Sequence, residues 1–257
     1  MIKKTMIRTF AFKTFARQGI QTFVTTRTGG VSPGPFVSFN LSFSTGDSKE
    51  NVVKNRTLLA DTLGIPTQNL ISARQVHGTA VWQVQKSDRT PRKADILVTN
   101  QAGLTLLVLT ADCVPIVLFD PEQRVIAAVH AGWRGTAARV AQVAVKTLVE
   151  RFGCSANSVL VGIGPSIAQA HYEVGPEVVS AISLAVTEPS KILRPTKNGH
   201  AKLDLVGANL QQLQAVGVTR KQIEVLGLDT FSNPEQFYSA RRQKPFGCFG
   251  TGILLQQ

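Results

Sequence analysis

The segment from Leu104 to Phe152 restricts the possible folds of this chain more than any other part of the sequence. It contains three short apolar runs, LTLLVLT, VPIVLF and VIAAV, separated by a polar interruption and by an Asp-Pro turn. Runs of this length predict strands that are buried on both faces. Cys113 follows the first strand, His130 ends the third, and the apolar spacing from Thr136 onward predicts a helix. The segment therefore places a thiol and an imidazole at the ends of adjacent strands, beside the start of a helix.

The remaining sequence predicts further strands and a smaller number of helices. Strands are predicted at residues 21–26, 70–75, 80–85, 94–99, 159–163 and 223–228, with an edge strand at 250–255, and helices at 47–63, 176–186 and 205–216. Asp47 is the predicted N-cap of the first helix, and residues 188–202 are polar, turn-rich and the weakest ordered part by composition. Because strands outnumber helices and do not alternate strictly with them, we expect an α+β fold with mixed sheets and outer helices, rather than a Rossmann-type winding.

Composition and charge restrict the class of protein. Of 257 residues, 43% are hydrophobic and 17% are charged, which supplies a sizeable core and excludes a disordered chain. No apolar run approaches the roughly 20 residues that span a bilayer, so we expect a soluble protein. The formal net charge of +12 suits nucleic acid or anionic small molecules. Because the basic residues form short clusters without interleaved aromatic residues, we expect anionic small-molecule substrates and no general binding of nucleic acid.

Three cysteines are too few, and odd in number, for a disulfide framework, so a reducing cytoplasm is the expected compartment. The first 27 residues are basic and contain no acid, as in a transit peptide. Charges interrupt every apolar run there, however, and a predicted strand begins before this segment ends. We therefore expect a mature cytoplasmic N-terminus. The sequence makes no prediction of the oligomeric state.

Three residues with metal-binding or nucleophilic side chains, His77, Cys113 and His130, each lie where a predicted strand gives way to a corner of small residues. Two imidazoles and a thiolate suit Zn²⁺, and three protein ligands leave a fourth position for water or substrate. Alternatively, Cys113 is a nucleophile with His130 as its base, activated near a helix N-terminus. A third interpretation is that the histidines only satisfy local hydrogen bonds and the cysteine fills the core. Residue types and spacing leave these alternatives open.

Two arginines are candidates for binding an anion. Arg134 lies in Gly-Trp-Arg-Gly at the start of the predicted helix, where free backbone N–H groups and a guanidinium converge. Arg27 precedes Gly29-Gly30 and offers a second cation on a loop. The alternative is that each arginine is a surface salt-bridge partner.

Several motifs together resemble one known family. In chain order they are TTRTGGVSPGPFVSFNLS, NVVKNRTLLA, RQVHGTAV, ADILVTNQAGLTLLVLTADCVPIVLFDP, IAAVHAGWRGTAA, VGIGPSIAQAHYEVG and FYSARR. They are similar to the YfiH family, also called the laccase-domain or polyphenol-oxidase family, whose members are regarded as purine nucleoside phosphorylases. The match extends from about Phe23 to Arg242, and TADCVPI and HAGWRGT are its most specific parts.

The resemblance implies a fold and a set of site residues. The fold is a layered α/β/β/α arrangement with mixed sheets in a single domain, residues 1–257. The metal is zinc held by His77, Cys113 and His130, with Cu²⁺ as a possible substitute, and the same three residues are the candidate catalytic residues. Candidates for binding substrate or phosphate are Arg27, Asn40 and Arg134. Asn40 lies in the first of the quoted motifs.

The sequence departs from the family pattern at three positions. Asp229 and His171 each stand where the family usually has cysteine, and Thr251 stands where it usually has arginine. The first and last of these departures concern the rim of the expected substrate site. The expected zinc ligands are intact.

The leading functional hypothesis is phosphorolysis of purine nucleosides, namely adenosine, inosine or methylthioadenosine. Adenosine deamination is a possible second activity, although the H-x-E and P-C-x-x-C pattern of zinc deaminases is missing. A Cys-His hydrolase acting on an amide, such as a cell-wall precursor, is the alternative. A laccase-like polyphenol oxidase with copper is a further alternative, but four histidines cannot supply a multicopper assembly. A nucleic-acid binder would instead show affinity that falls steeply with salt.

Overall fold

The computed structural model describes residues 7–88 and 90–256, and these residues form the following elements. The strands are β1 Thr9–Phe10, β2 Gln21–Thr25, β3 Leu70–Ser72, β4 Val81–Gln83, β5 Ile96–Thr99, β6 Thr105–Thr110, β7 Val114–Asp120, β8 Val125–Ala131, β9 Leu160–Ile163, β10 Glu173–Val174, β11 Leu193–Pro195, β12 Ala201–Leu203, β13 Ile223–Val225 and β14 Phe249–Leu254. The helices are α1 Lys13–Ala16, α2 Lys49–Leu63, α3 Trp133–Ala137, α4 Val140–Phe152, α5 Pro176–Ser183, α6 Pro189–Ile192 and α7 Leu205–Ala215. Short 3₁₀ turns lie at Gly34–Phe36, Thr67–Asn69, Gln169–His171 and Arg220–Gln222.

Two large sheets form the centre of the molecule. One has the order β1-β2-β14-β6-β3 and the other the order β13-β9-β7-β8-β5-β4, while β10, β12 and β11 form a small separate sheet. Both large sheets contain parallel and antiparallel pairs. In the five-stranded sheet β3 is parallel and β14 antiparallel to β6, and in the six-stranded sheet β4 is parallel to β5 and β7 antiparallel to β8. The class α+β with mixed sheets in a single domain is therefore confirmed.

The strand side chains alternate between two cores, as the period of two in a strand requires. On β6, Leu106 and Val108 enter the core between the large sheets, whereas Leu107 packs on the opposite side, where Leu59 of α2 lies. On β7, Val117 faces the core between the sheets and its neighbours pack toward α4 and α7. The order of layers is thus α2, five-stranded sheet, six-stranded sheet, and α4 with α7, which is the expected α/β/β/α arrangement.

The last of the predicted strands lies in a different place from the one expected. Residues 250–255 were predicted to form an edge strand, but β14 lies between β2 and β6 and pairs with both. Two glycines allow it to fit there. A Cβ on Gly252 would lie 2.3 Å from Phe23 Cζ, and one on Gly250 would lie 2.6 Å from Leu107 Cδ1. A central strand meets side chains of its neighbours at such close range, and only glycine avoids the clash.

Three further local predictions are wrong. The N-cap of α2 is Ser48, whose side chain accepts from the Asn51 N–H, while Asp47 instead accepts from the hydroxyl of Ser32. The helix predicted from Thr136 is two helices, because Arg139 has φ 62° and breaks the helical path between α3 and α4. Residues 188–202 are not weakly ordered, since they form α6, β11 and part of β12. No described helix combines the length and the apolar character needed to cross a membrane.

Candidate metal centre

One end of the six-stranded sheet collects the candidate ligands. β7 begins directly after Cys113 and pairs antiparallel with β8, with Val114 opposite Ala131. His130 lies near the end of β8, and β5, which follows Asp95, pairs with β8 on its other side. His77 comes from the corner that precedes the edge strand β4. Because β8 is antiparallel to both neighbours, the end of β8 and the starts of β7 and β5 lie at the same end of the sheet.

The three predicted ligands meet at this edge. One ligand atom from each of His77, Cys113 and His130 lies within 4.8 Å of the others. The two imidazole rings have centroids 4.7 Å apart and are nearly perpendicular, at 82°. His130 is buried, Cys113 is half-buried and His77 is exposed, so the cluster opens toward solvent on one side. A borderline-soft donor set of this kind, in a cluster with one open side, suits a catalytic metal.

Gly132 keeps the space around the cluster clear. A Cβ at this position would lie 2.9 Å from His77 Cδ2 and 3.0 Å from Cys113 Sγ. Any side chain there would push a candidate ligand out of place. The donor set and this cradle both fit a bound metal ion.

Asp95 fixes two of the ligands, and sequence reasoning missed it. Its carboxylate is fully buried and accepts from His130 Nδ1 at 2.8 Å, from the His77 N–H at 3.0 Å and from the Gly78 N–H at 2.8 Å. Burial acts to raise the pKa of Asp95, but the hydrogen bonds from His130 and Gly78 and the charge of His130 outweigh it and lower that pKa. An ionised carboxylate behind a metal-binding histidine orients the ring and increases its basicity.

A second effect of Asp95 concerns the backbone. His77 has φ 61°, a left-handed conformation that costs a non-glycine residue energy. The two N–H bonds from His77 and Gly78 to Asp95 offset this cost and hold the corner. The sequence contains one signal that could have identified Asp95: it is a single acid at the start of the apolar run ADILVT. An acid in such a run is expected to be buried, and a buried carboxylate requires hydrogen-bond partners.

Cys113 and His130 each favour the charged form of the other. Burial opposes ionisation of the thiol, but the charge of His130 and hydrogen bonds from both histidines lower the pKa of Cys113 to about 6. Burial would likewise lower the pKa of His130, but the Cys113 thiolate and Asp95 raise it to about 9. A thiolate is the form that binds metal and also the form that attacks carbon, so both chemical hypotheses are compatible with this pair.

Asp112 connects the cluster to the loop at residues 228–242. It has φ 93° and is buried, and its carboxylate accepts from Thr230 Oγ1 at 2.6 Å, from Ser239 Oγ at 3.0 Å and from the Arg241 N–H at 2.7 Å. Since Asp112 precedes Cys113, this loop is fixed directly beside the thiol. The FYSARR motif thereby lies at the rim of the cluster.

The candidate substrate residues differ in their surroundings. Arg134 is exposed on α3, with its guanidinium carbon 4.2 Å from the centroid of the Trp133 ring. Arg27 donates from Nε to the Val37 carbonyl and from Nη1 to the Pro234 carbonyl.

Asn40 is fully buried. Its amide nitrogen is shared between Ser42, Thr45 and Asp47, and its oxygen accepts from the N–H groups of Ser42 and Cys248. Arg134 thus lies two positions after Gly132, which packs against the cluster, whereas Arg27 and Asn40 use several of their polar atoms to hold loops. Contact of any of the three residues with substrate stays a prediction.

Two of the three departures from the family pattern are neighbours. His171 Nε2 lies 3.6 Å from Asp229 Oδ2 and 3.0 Å from Ser232 Oγ, and its ring packs on Phe231 at 4.6 Å between centroids. Thr251 is fully buried, and its hydroxyl has no hydrogen-bond partner among the described residues. Two positions where the family pattern has cysteine therefore hold a histidine and an aspartate whose side chains lie close together.

Comparisons with known proteins give the chain its relatives. A family model described as "Multi-copper polyphenol oxidoreductase laccase" matches residues 21–256. A "Purine nucleoside phosphorylase" of Bacteroides thetaiotaomicron is 36% identical over 87% of this chain and 86% of its own length. "Adenosine deaminase RL5", from an unknown prokaryotic organism, is 34% identical over 88% of this chain and 89% of its own length. The crystal structure of the hypothetical protein YfiH from Bacillus licheniformis superposes with a TM-score of 0.93 at 29% identity, covering 97% of this chain and 99% of that one.

Proposed function

Because this chain belongs to the family described as multi-copper polyphenol oxidoreductase laccase, with relatives named purine nucleoside phosphorylase, we propose that it is a zinc-dependent purine nucleoside phosphorylase. The proposed substrates are adenosine, inosine or methylthioadenosine, which with phosphate give the free base and the sugar 1-phosphate. The single observation that carries the proposal is the His77, Cys113 and His130 cluster with Asp95 behind it. The three cysteines are unpaired thiols, and the proposed compartment is the reducing cytoplasm.

The residues of the cluster are suited to hold zinc. Asp95 accepts from Nδ1 of His130, which leaves Nε2 directed at the metal position. Cys113 would bind the metal as a thiolate, and His130 would bind it as a neutral imidazole. Zn²⁺ held by three protein ligands supplies Lewis-acid chemistry to an oxygen in its fourth position. His77, which is exposed, lies on the side of the cluster that is open to solvent.

Direct contact with phosphate is proposed for Arg134 and Arg27, and a supporting role is proposed for Asn40. Arg134 is exposed, and its guanidinium is suited to a planar, two-bond contact with a pair of phosphate oxygens. Arg27 has Nη2 without a hydrogen-bond partner in the described part of the chain. Asn40 acts by fixing the loop at residues 40–47, since its amide already bonds that loop.

Deamination of adenosine is the second candidate activity. It is supported by the relative named adenosine deaminase, which matches most of this chain. Phosphorolysis consumes phosphate, whereas deamination consumes water. Adenosine is a substrate for both reactions, so its products with and without phosphate distinguish them.

The experiment uses protein of known metal content and adenosine, with and without phosphate, and identifies the products. We expect adenine and ribose 1-phosphate when phosphate is present, and inosine in either condition if the enzyme also deaminates. The Cys113→Ala variant is the control and should form neither product. If adenosine, inosine and methylthioadenosine all stay unchanged in parallel reactions with phosphate, with zinc bound to the protein, the proposed function is rejected.

A further inference from the structure

Two exposed arginines at the rim of the metal cluster have no carboxylate partner. Arg134 lies two positions after Gly132, and Arg241 lies in the loop that Asp112 holds beside Cys113. Across residues 7–88 and 90–256, no carboxylate oxygen lies within 4.0 Å of either guanidinium. Unpaired cations beside an open cleft attract anions.

Arg241 is anchored at both its backbone and its side chain. Its N–H donates to Asp112 Oδ2 at 2.7 Å, and its Nη1 donates to the Glu173 carbonyl at 2.9 Å. Nε and Nη2 have no partner among the described residues. One edge of the guanidinium is therefore held in place, and the remaining donors are free for a ligand.

The guanidinium of Arg241 packs on the ring of Tyr172. The guanidinium carbon of Arg241 is 5.1 Å from the centroid of the Tyr172 ring. Burial and the Cys113 thiolate raise the pKa of Tyr172, whereas the positive charges of Arg241 and Arg134 act to lower it. The backbone independently brings both arginines close to Cys113. The Arg241 N–H bonds Asp112, the residue before the thiol, and Gly132, two positions before Arg134, lies against Cys113 Sγ.

We propose that Arg241 and Arg134 form a two-arginine anion site beside Tyr172, and that the anion is inorganic phosphate used as the second substrate. The naming of phosphate as a substrate rests on the proposed function, whereas the anion site rests on the geometry alone. Two planar guanidinium groups match the oxygens of a phosphate dianion better than ammonium groups do. Arg27 cannot present a comparable fork, because its Nε and Nη1 are already bonded to carbonyl oxygens.

The first test measures binding without turnover. Inorganic phosphate and adenosine 5′-monophosphate are titrated separately into the zinc-loaded protein by calorimetry, at constant ionic strength. We expect Arg241→Ala to weaken phosphate binding roughly ten- to a hundredfold, as loss of a charge-assisted contact implies. Arg241→Lys should recover part of the affinity. Arg151→Ala is the matched control, since it removes the same charge roughly 17 Å along α4 from its start and should change nothing.

The second test uses kinetics across a phosphate titration. Arg241→Ala should raise the KM for phosphate and leave the KM for the nucleoside nearly unchanged. The Arg134→Ala and Arg241→Ala effects should be non-additive in the double variant, because both residues contact one anion. Zinc content and the melting temperature should equal those of the unmodified protein, since Arg241 is exposed.

Three outcomes would overturn the proposal or separate it from the proposed function. Equal phosphate binding by the unmodified protein and by Arg241→Ala would remove Arg241 from the site. Arg241-dependent binding of the monophosphate, without binding of free phosphate, would overturn the assignment to a free second substrate. Arg241-dependent phosphate binding without cleavage of any nucleoside would support the anion site and reject the proposed function.

Discussion

Asp95 shows how much of the site depends on a residue that binds no metal itself. One buried carboxylate receives a hydrogen bond from the imidazole of His130 and three from the backbone of residues 76–78. The same group therefore sets the orientation of one ligand and the backbone position of another.

Replacing Asp95 by asparagine should lower metal affinity roughly ten- to a hundredfold, as is typical when a carboxylate behind a ligating histidine is lost. The amide has nearly the same shape, but it carries no charge and offers only one acceptor oxygen for four donors. Competition with a chromogenic chelator measures the affinity. Asp61→Asn, at an exposed position on α2, is the control and should leave the affinity unchanged. Equal affinities for all three proteins would make Asp95 a purely structural residue.

The reactivity of the thiols should distinguish a metal ligand from a nucleophile. In protein stripped of metal, alkylation of Cys113 by iodoacetamide should increase as pH rises through about 6, because the thiolate is present above its pKa. Burial raises the pKa of Cys154 and of Cys248, so both should stay unreactive near neutral pH. With zinc bound, Cys113 should also react slowly.

Mass spectrometry of the digested protein reports each cysteine separately. Rapid alkylation of Cys113 in the zinc-loaded protein would favour the Cys-His hydrolase.

At the scale of elements, α3 depends on α7. The short helix α3 carries Arg134, and its Thr136 receives hydrogen bonds from two buried side chains of α7. Asn209 donates to the Thr136 hydroxyl at 3.1 Å and Gln212 donates to the Thr136 carbonyl at 2.6 Å. The position of Arg134 thus depends on an element remote in the sequence.

Gln212→Leu should destabilise the protein by about 1–3 kcal/mol, because the buried carbonyls of Thr136 and Ala185 would lose a donor. Urea unfolding followed by circular dichroism gives the free energy of unfolding. Gln214→Leu, at an exposed position of the same helix, is the matched control and should stay within about 0.5 kcal/mol. A Gln212→Leu protein as stable as the unmodified one would contradict this account of α3.

The sequence predicted those features whose signal lies within one continuous segment, and it missed those that depend on contacts between distant segments. Apolar runs located β6, β7 and β8, and the family motifs pointed to all three ligands, because both signals are contiguous in the chain. Asp95 was missed because its partners come from two other segments. The break at Arg139 was missed because the apolar spacing continues across it, and nothing near residues 249–254 indicates which strands will flank them.

At the scale of the whole molecule, the number and positions of the histidines limit which metal sites the protein can form. Among the described residues, His77, Cys113 and His130 form one group able to hold a metal ion. His171 is paired with Asp229, and His200 is exposed, with Nδ1 3.3 Å from a backbone carbonyl. The four histidines of the chain therefore do not build a multicopper assembly, despite the description of the family model.

Elemental analysis should accordingly find about one zinc per chain in protein purified without added metal. His77→Ala, Cys113→Ala and His130→Ala should each lose the zinc, and His200→Ala should retain it. Copper added to stripped protein should bind at the same position, since the Irving–Williams order places Cu²⁺ above Zn²⁺. Several copper ions per chain, with oxidation of phenols, would support the polyphenol oxidase instead.

The central position of β14 has a consequence for the time course of folding. β2 and β6 are synthesised early, but the strand that joins them comes from residues 249–254. Thr251 pairs with Val24 on one side and with Val108 on the other, so the sheet closes only through contacts between distant parts of the chain. Such contacts carry a large loop-closure cost and slow folding. On the ribosome, the facing edges of β2 and β6 therefore stay unpaired until residues 249–254 emerge, and unpaired strand edges favour pairing with other chains.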